Sequence, residues 1–344
     1  MRKLTEMTDK MKEKYADLFV SALDSMEGCA WQKPWLTPNN GVPCNFDRKR
    51  LPYKGVNAFL LSLLCTIEGY ETPFFITMKQ IKEKGLMTNV ALDKDGFPKF
   101  NDKGLPVREG WFPVYWFKPL FYDKDGNRLT DEEVRAMSKE EQAELKKIFA
   151  LNTYSVWNID QTDFKEKFPE KYAEYTEVKG HEYKHGTTDP VLEKMITGGE
   201  WRCPILFGGH SSHFNPTDDH IRLPERKRFL SDEMFYGTAV HEMAHSTAKE
   251  LKRSQDGTFG SDAYAMEEFV AELTSACVCS MLGIGKLLDE QHLSYVESWR
   301  KAIRGDKDFV PKVIDQVQSA TNYILRRYEA VAKKMNLTAL PLAA

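Results

Sequence analysis

Met11, Tyr15, Leu18, Phe19, Ala22 and Leu23 recur at intervals of three and four, which predicts an amphipathic helix over about Thr8 to Met26. The pattern then breaks: Gly28 to Pro52 is rich in Pro, Asn and Gly and reads as a loop. A second helix is expected from Gly55-Val56-Asn57 through the apolar run that ends at Ile67. Phe74 to Thr77 has the character of a short strand, and Met78 to Lys84 that of a helix stopped by Gly85. Between Leu86 and Val107 polar text with the dipeptides Asp95-Gly96 and Lys103-Gly104 predicts hairpins. Trp111 to Tyr122 and Thr153 to Ile159 are β-prone. Thr130 to Lys147, which separates them, is charged and helical. It carries two capping-box pairs, Thr130 with Glu133 and Ser138 with Glu141, and reads as a solvated surface insertion.

The second half differs in character. Ile205 to Phe207 and Asp219 to Leu223 are short strand candidates. Phe235 to Leu251, Ala263 to Leu282, Ser294 to Ile303 and Phe309 to Lys334 carry long helical patterns. Few strands followed by several helices indicates an α+β fold. The expected organisation is an α+β domain over 1–165, a Lys/Glu-rich linker over 166–190 and a mainly helical domain over 191–344. That division suits 344 residues at about 150 per domain. No internal repeat is apparent.

Composition narrows the field only slightly. With 42% hydrophobic and 29% charged residues the chain is an ordinary globular protein, and a net charge of −3 does not mark the whole molecule as a nucleic-acid binder. The six cysteines form no CxxC pair, and Cys277 and Cys279 fall on different faces of a helix, so free thiols are expected. The charged N-terminus lacks a signal-peptide core. The longest apolar run, Ala58 to Ile67, is far short of the roughly 20 residues a membrane span needs. No membrane association and a cytoplasmic location are therefore expected.

Chemistry concentrates at His241-Glu242-Met243-Ala244-His245, an HExxH sequence inside a helical pattern. Residues i and i+4 lie on one helix face, so both imidazoles can reach one metal ion. Glu242, about 100° further round, can touch the reacting water without ligating the metal. The small and apolar flanks Ala239, Val240, Met243 and Ala244 suit a buried active-site helix rather than a solvated one. Zn²⁺ would need a third protein ligand and would keep one position open. Glu267-Glu268-Phe269-Val270-Ala271-Glu272 supplies carboxylates on a later helix. Glu268 and Glu272 share a face, as in glutamate zincins, which assigns Glu268 as ligand and Glu272 as the group that orients a histidine behind it. Glu267 falls on another face and reads as a solvated or capping residue. The expected chemistry is zinc-dependent hydrolysis of an amide, with Glu242 as the base that takes and returns the proton. Tyr264, His210, His213 and Tyr236 all remain open as stabilisers of the oxyanion.

Several motifs in order resemble the ArdC-type antirestriction proteins of mobile elements. They are Trp31-x-Lys33-Pro34-Trp35, Asn45, Tyr53-x-Gly55-Val56-Asn57, Phe75 to Gln80 with Gly85, Val107-Arg108-x-Gly110 and Val156-x-Asn158-x-Asp160-Gln161. Further on come Asp219-x-Ile221-x-Leu223-Pro224, the HExxH, Tyr264 to Glu272 and Trp299. Two departures stand out: insertions at Leu86 to Leu105 and Thr130 to Lys147, and Ser246-Thr247-Ala248 where the family often has Trp-Thr-Gly. The resemblance implies an N-terminal single-stranded-DNA-binding domain joined to a zincin-like metallopeptidase domain, with an antirestriction role and an unidentified protein substrate. The residues agree locally. Lys33, Arg48, Lys49, Arg50 and Lys54 face only Asp47, with Trp31, Trp35 and Tyr53 interleaved, the mixture of cations and stacking rings that single strands favour. Core burial would account for Trp31 and Trp35 equally well. The alternative function is a non-catalytic single-stranded-DNA-binding protein whose zinc site is structural.

Overall fold

The computed structural model describes residues 8–25, 43–46, 51–176, 189–229, 231–253, 262–284, 293–306 and 308–337. The first expected helix forms as Asp9–Ser25 and the second as Gly55–Glu68, where Gly69 takes the left-handed conformation (φ 69°) that stops it. Strands β1 (Cys44–Asn45), β2 (Phe74–Thr77), β3 (Phe112–Tyr122), β4 (Arg128–Leu129) and β5 (Lys146–Asn158) build a sheet ordered β1-β2-β5-β3-β4. β3 and β5 pair antiparallel along their whole shared length, Phe112 opposite Val156 and Tyr122 opposite Lys146. β5 therefore starts well before Thr153, because a long-range partner overrides the helical local text of the insertion. Both expected capping boxes are present, on two short helices, Asp131–Ala136 and Lys139–Glu144.

The edge of β3 opposite β5 is covered by β4 only at Phe121 and Tyr122. Asn57, on the second helix, satisfies part of what remains: its Oδ1 accepts from the Tyr115 N–H at 2.9 Å and its Nδ2 donates to the Tyr115 carbonyl at 2.7 Å. Other motif residues do comparable work. Gln80 closes a capping box with Thr77 and donates to Asn45 Oδ1 at 3.2 Å. Gln161 donates to the Gly110 carbonyl at 2.9 Å, and the Asp160 carboxylate accepts from the Thr72 hydroxyl and from Tyr172.

The hairpins expected between Leu86 and Val107 are present as bridged turns, Leu92 with Pro98 and Phe100 with Pro106. One turn design is used three times. Oδ1 of Asp93, Asn101 and Asp123 accepts from the backbone N–H two and four residues on, and Gly96, Gly104 and Gly126 supply the positive φ the loop requires. Only the turn recurs, without a repeated supersecondary unit around it.

A second, three-stranded sheet is ordered β6-β8-β7 (β6 Ile205–Phe207, β7 His213–Asn215, β8 His220–Leu223). It packs on the helix Asp232–Ser246, together with the helix Pro190–Thr197 and the C-terminal helix Phe309–Lys334. The helix Asp262–Met281 belongs to two cores. Phe269, Val270, Leu273 and Cys277 pack with Phe19, Phe59 and Trp299, while Ala271, Val278 and Cys279 pack with Val240 and Met243. A third core gathers Phe74, Ile76, Trp157, Phe164 and Tyr172. At and just after the boundary with the segment read as a linker, Phe164–Lys167 and Pro169–Thr176 form two short helices that bury Phe164 and Tyr172. The described cysteines, Cys44, Cys65, Cys203, Cys277 and Cys279, are free thiols. Among the described residues no helix is long and apolar enough to cross a membrane.

Candidate metal centre

The HExxH sequence lies in the helix Asp232–Ser246, whose ends are fixed by their chemistry. Ser231 caps the start by accepting from the Met234 N–H at 3.2 Å, and Asp232 and Glu233 occupy the first turn, where the helix dipole favours negative charge. At the other end Arg202 donates to the Ser246 carbonyl and Arg253 to the Ala244 carbonyl, both at 2.8 Å, two cations at the negative pole. Arg202 is itself held by both oxygens of Asp219 at 2.7 Å and by Glu250 at 2.8 Å, and Trp201 donates to the Ser246 hydroxyl at 3.0 Å. Ser246, one of the departures from the family pattern, is thus pinned from two sides.

His241 and His245 converge. Their Nε2 atoms are 3.0 Å apart, and the Glu268 oxygens lie 3.5 Å from His241 Nε2 and 3.6 Å from His245 Nε2. The three ligating atoms fall within 4.8 Å of one another, a cluster that could hold a metal ion. Zinc–nitrogen bonds of about 2.0–2.1 Å at tetrahedral angles separate ligand atoms by about 3.3 Å, so two nitrogens and a carboxylate at these spacings fit zinc. Each histidine has a carboxylate behind it: Glu272 Oε2 lies 3.2 Å from His241 Nδ1, and Glu267 Oε1 lies 3.1 Å from His245 Nδ1. With Nδ1–H donated to a carboxylate, each ring is left with its Nε2 lone pair toward the shared point. Glu242, 6% exposed, sits beside His241 at this centre.

Burial works against a charged His241, but Glu268 and Glu272 outweigh it and lift its pKa to about 10. Glu268 shows the reverse. Burial alone would raise its pKa, yet His241, His245 and the Tyr264 hydroxyl hold it at about 2. His241 and Glu268 thus stabilise each other's charged forms, and a bound cation would compete with protons for the same groups.

Glu267 overturns its expected role. It is neither solvated nor a cap: its side chain is mostly covered, 11% exposed, and contacts His245 and Arg253. His245 lies one turn beyond His241, and the crossing of the two helices brings two adjacent faces of the carboxylate helix onto one pair of rings. The sequence signal for it is three carboxylates in apolar text, more than one helix face can account for. Among the oxyanion candidates, the Tyr236 hydroxyl is bound to Glu193, His210 Nδ1 pairs with Arg228 at 3.0 Å, and His213 is exposed on β7. Tyr264 is the one that touches the Glu268 carboxylate.

Of the residues expected to contact DNA, Trp31, Lys33, Trp35, Arg48, Lys49 and Arg50 lie outside the described residues. Tyr53 is partly buried, its ring edge-on to Phe75 at 6.2 Å and its hydroxyl 3.5 Å from Asn45 Nδ2, and Lys54 precedes the helix Gly55–Glu68.

Comparison with known proteins gives matches for both halves. The family described as zincin-like metallopeptidase matches residues 190–314, and that described as the N-terminal domain of the anti-restriction factor ArdC matches residues 9–157. The protein y4eC of Sinorhizobium fredii is 32% identical over 303 residues, covering 86% of this chain and 85% of that protein. Two Escherichia coli proteins named DNA primase TraC are 28% and 27% identical over 86% and 94% of this chain, which spans only 18% and 28% of their lengths. Crystal structures of the antirestriction protein ArdC from plasmid R388 share the fold. The metal-free form has a TM-score of 0.57 at 25% identity over 94% of this chain and 98% of that one. The Mn(II)-bound form has a TM-score of 0.59 at 24% identity over 92% of this chain and 98% of that one.

Proposed function

The chain belongs to the ArdC-like antirestriction family, with a zincin-like metallopeptidase domain in its second half, and from that premise we propose that it is a zinc-dependent peptidase joined to a single-stranded-DNA-binding module, acting in the protection of mobile elements. The observation that carries the reading is the convergence of His241, His245 and Glu268 with Glu242 buried beside them. His241, His245 and Glu268 would hold the ion; bound there, it supplies Lewis acidity toward a carbonyl oxygen and toward water. Glu242 takes a proton from the attacking water and returns it to the leaving amine. Glu272 keeps His241 in the orientation and tautomer that leaves Nε2 available. β7, an edge strand of the sheet packed on the motif helix, offers main-chain groups along which an extended peptide can align. The DNA-binding half of the reading is supported by the ArdC match over residues 9–157 and by the aromatic and basic segment Trp31 to Lys54.

The test is Glu242→Gln against wild type, with zinc content, cleavage of unstructured casein and binding of single-stranded against duplex DNA all measured. Zinc content and DNA binding should be unchanged, and cleavage should fall by about 10²–10⁴-fold. One equivalent of zinc in a protein whose every activity ignores Glu242→Gln would replace this reading with that of a DNA-binding protein with a structural metal.

A further inference from the structure

The two histidines of the centre are held by different devices. His241 Nδ1 meets Glu272 Oε2 at 3.2 Å. His245 Nδ1 meets Glu267 Oε1 at 3.1 Å, and that carboxylate is gripped from its far side by a guanidinium. Arg253 Nε donates to Glu267 Oε2 at 3.0 Å and Nη2 to Oε1 at 2.8 Å, a bidentate fork. The same guanidinium is fixed to the motif helix. Nη1 donates to the Thr247 hydroxyl at 2.9 Å and Nη2 to the Ala244 carbonyl at 2.8 Å. Arg253 is 4% exposed and Glu267 11%. Lys252, in the left-handed conformation at φ 55°, turns the chain so that Arg253 returns across the helix end.

The geometry points to Arg253 and Glu267 acting as one positioning unit that sets the orientation of His245 for the metal, an inference that rests on the cluster being a metal centre. Two physical consequences follow. Arg253 sets a positive charge against the Glu267 carboxylate and fixes its plane through two parallel hydrogen bonds. Because Arg253 is anchored to Ala244 and Thr247, the neighbours of His245 on its own helix, the ring and its acceptor are referred to one rigid frame. Glu267 then restricts rotation of the imidazole and keeps the proton on Nδ1, without leaving a further uncompensated negative charge at the centre.

The experiment is a zinc titration of the full chain in competition with a chromophoric chelator, together with the visible spectrum of the Co(II)-loaded protein, which reports ligand geometry independently of any activity. The variants are Glu267→Gln, Arg253→Met, Arg253→Lys and the double variant Glu267→Gln/Arg253→Met. Each of the first two should weaken zinc binding by about 10–100-fold and shift the Co(II) bands. The double variant should lose no more than the worse single variant, because both changes break one unit. Arg253→Lys keeps the charge but not the fork and should recover only part of the loss. It is also the variant to read if the more severe changes do not fold. Unchanged affinity and spectrum in folded single variants would overturn the inference alone, and additive losses would overturn the claim of a unit. A wild-type protein that takes up no zinc would overturn the metal centre, and this inference with it.

Discussion

Replacing Asn57 by alanine separates a residue that builds the fold from one that reads a ligand. Its amide makes two hydrogen bonds to a single residue, 2.7 Å to the Tyr115 carbonyl and 2.9 Å from the Tyr115 N–H, on the edge of β3 that no strand covers at that point. Tyr115 is 7% exposed, so Asn57→Ala leaves one donor and one acceptor in a largely dry setting. A buried group deprived of its partner costs about 1–3 kcal/mol. Because Asn57 is itself only partly buried, water can reach the gap, and the lower end of the range applies, giving about 2–3 kcal/mol for the pair. The assay is urea denaturation followed by fluorescence, with Thr130→Ala as calibration. Thr130 closes a capping box on an exposed helix, and its loss should cost about 1 kcal/mol. In parallel, single-stranded-DNA binding is titrated well below the denaturation midpoint, where Asn57→Ala should bind as wild type does. A change in stability below about 0.5 kcal/mol, or weakened DNA binding at unchanged stability, would refute the reasoning and move Asn57 from scaffold to interface.

Glu268→Ala should abolish stoichiometric zinc uptake, whereas Glu272→Ala should retain zinc with an affinity about 10–100-fold weaker; metal analysis after dialysis distinguishes them. Thermal melts in chelator should show a pH signature of the centre. His241, with its pKa raised to about 10, contributes stability that is fully present below its ordinary 6.5 and lost as pH rises through about 10. Glu268, lowered to about 2, contributes stability present above 4.5 and lost as pH falls through about 2. Saturation with zinc should remove the alkaline loss from His241, because the metal replaces its proton. Trp299→Ala should destabilise by about 3–5 kcal/mol in denaturant melts, since Trp299 is fully buried, stacks on Phe269 at 4.7 Å and donates to the Ala265 carbonyl at 2.8 Å.

Where the sequence is legible, a local rule suffices. The HExxH spacing places two imidazoles on one face whatever the rest of the chain does, and the helices Asp9–Ser25 and Gly55–Glu68 follow from apolar spacing and from Gly69. Phe74–Thr77 and both capping boxes are equally local. What escapes depends on partners far along the chain. The early start of β5 is decided by its register with β3. Glu267 and Glu268 differ by one position, and only the crossing of two helices shows that the first takes His245 Nδ1 while the second faces Nε2. Arg253 lies outside every recognisable motif, and nothing in its sequence neighbourhood marks it as reaching back to Glu267. The motif residues Asn57, Gln80, Asp160 and Gln161 were legible as a family signature without their purpose, which is to satisfy main-chain and side-chain groups of the first sheet and its borders.

The helix that carries Glu267, Glu268 and Glu272 also inserts Phe269 between Phe19 of the first helix and Trp299. Severing the chain between residues 177 and 188, or starting expression at residue 190, would strip Phe19 and Phe59 from that helix on the side away from His241 and His245. The fragment should be sticky and short-lived in a cell, and any loss of metal binding in it would report a missing wall rather than a missing regulator. A bench scientist seeking the smallest stable form of the zincin-like domain should therefore begin from the whole chain and trim its surface loops, such as the turns around Gly96 and Gly104, before cutting near its middle.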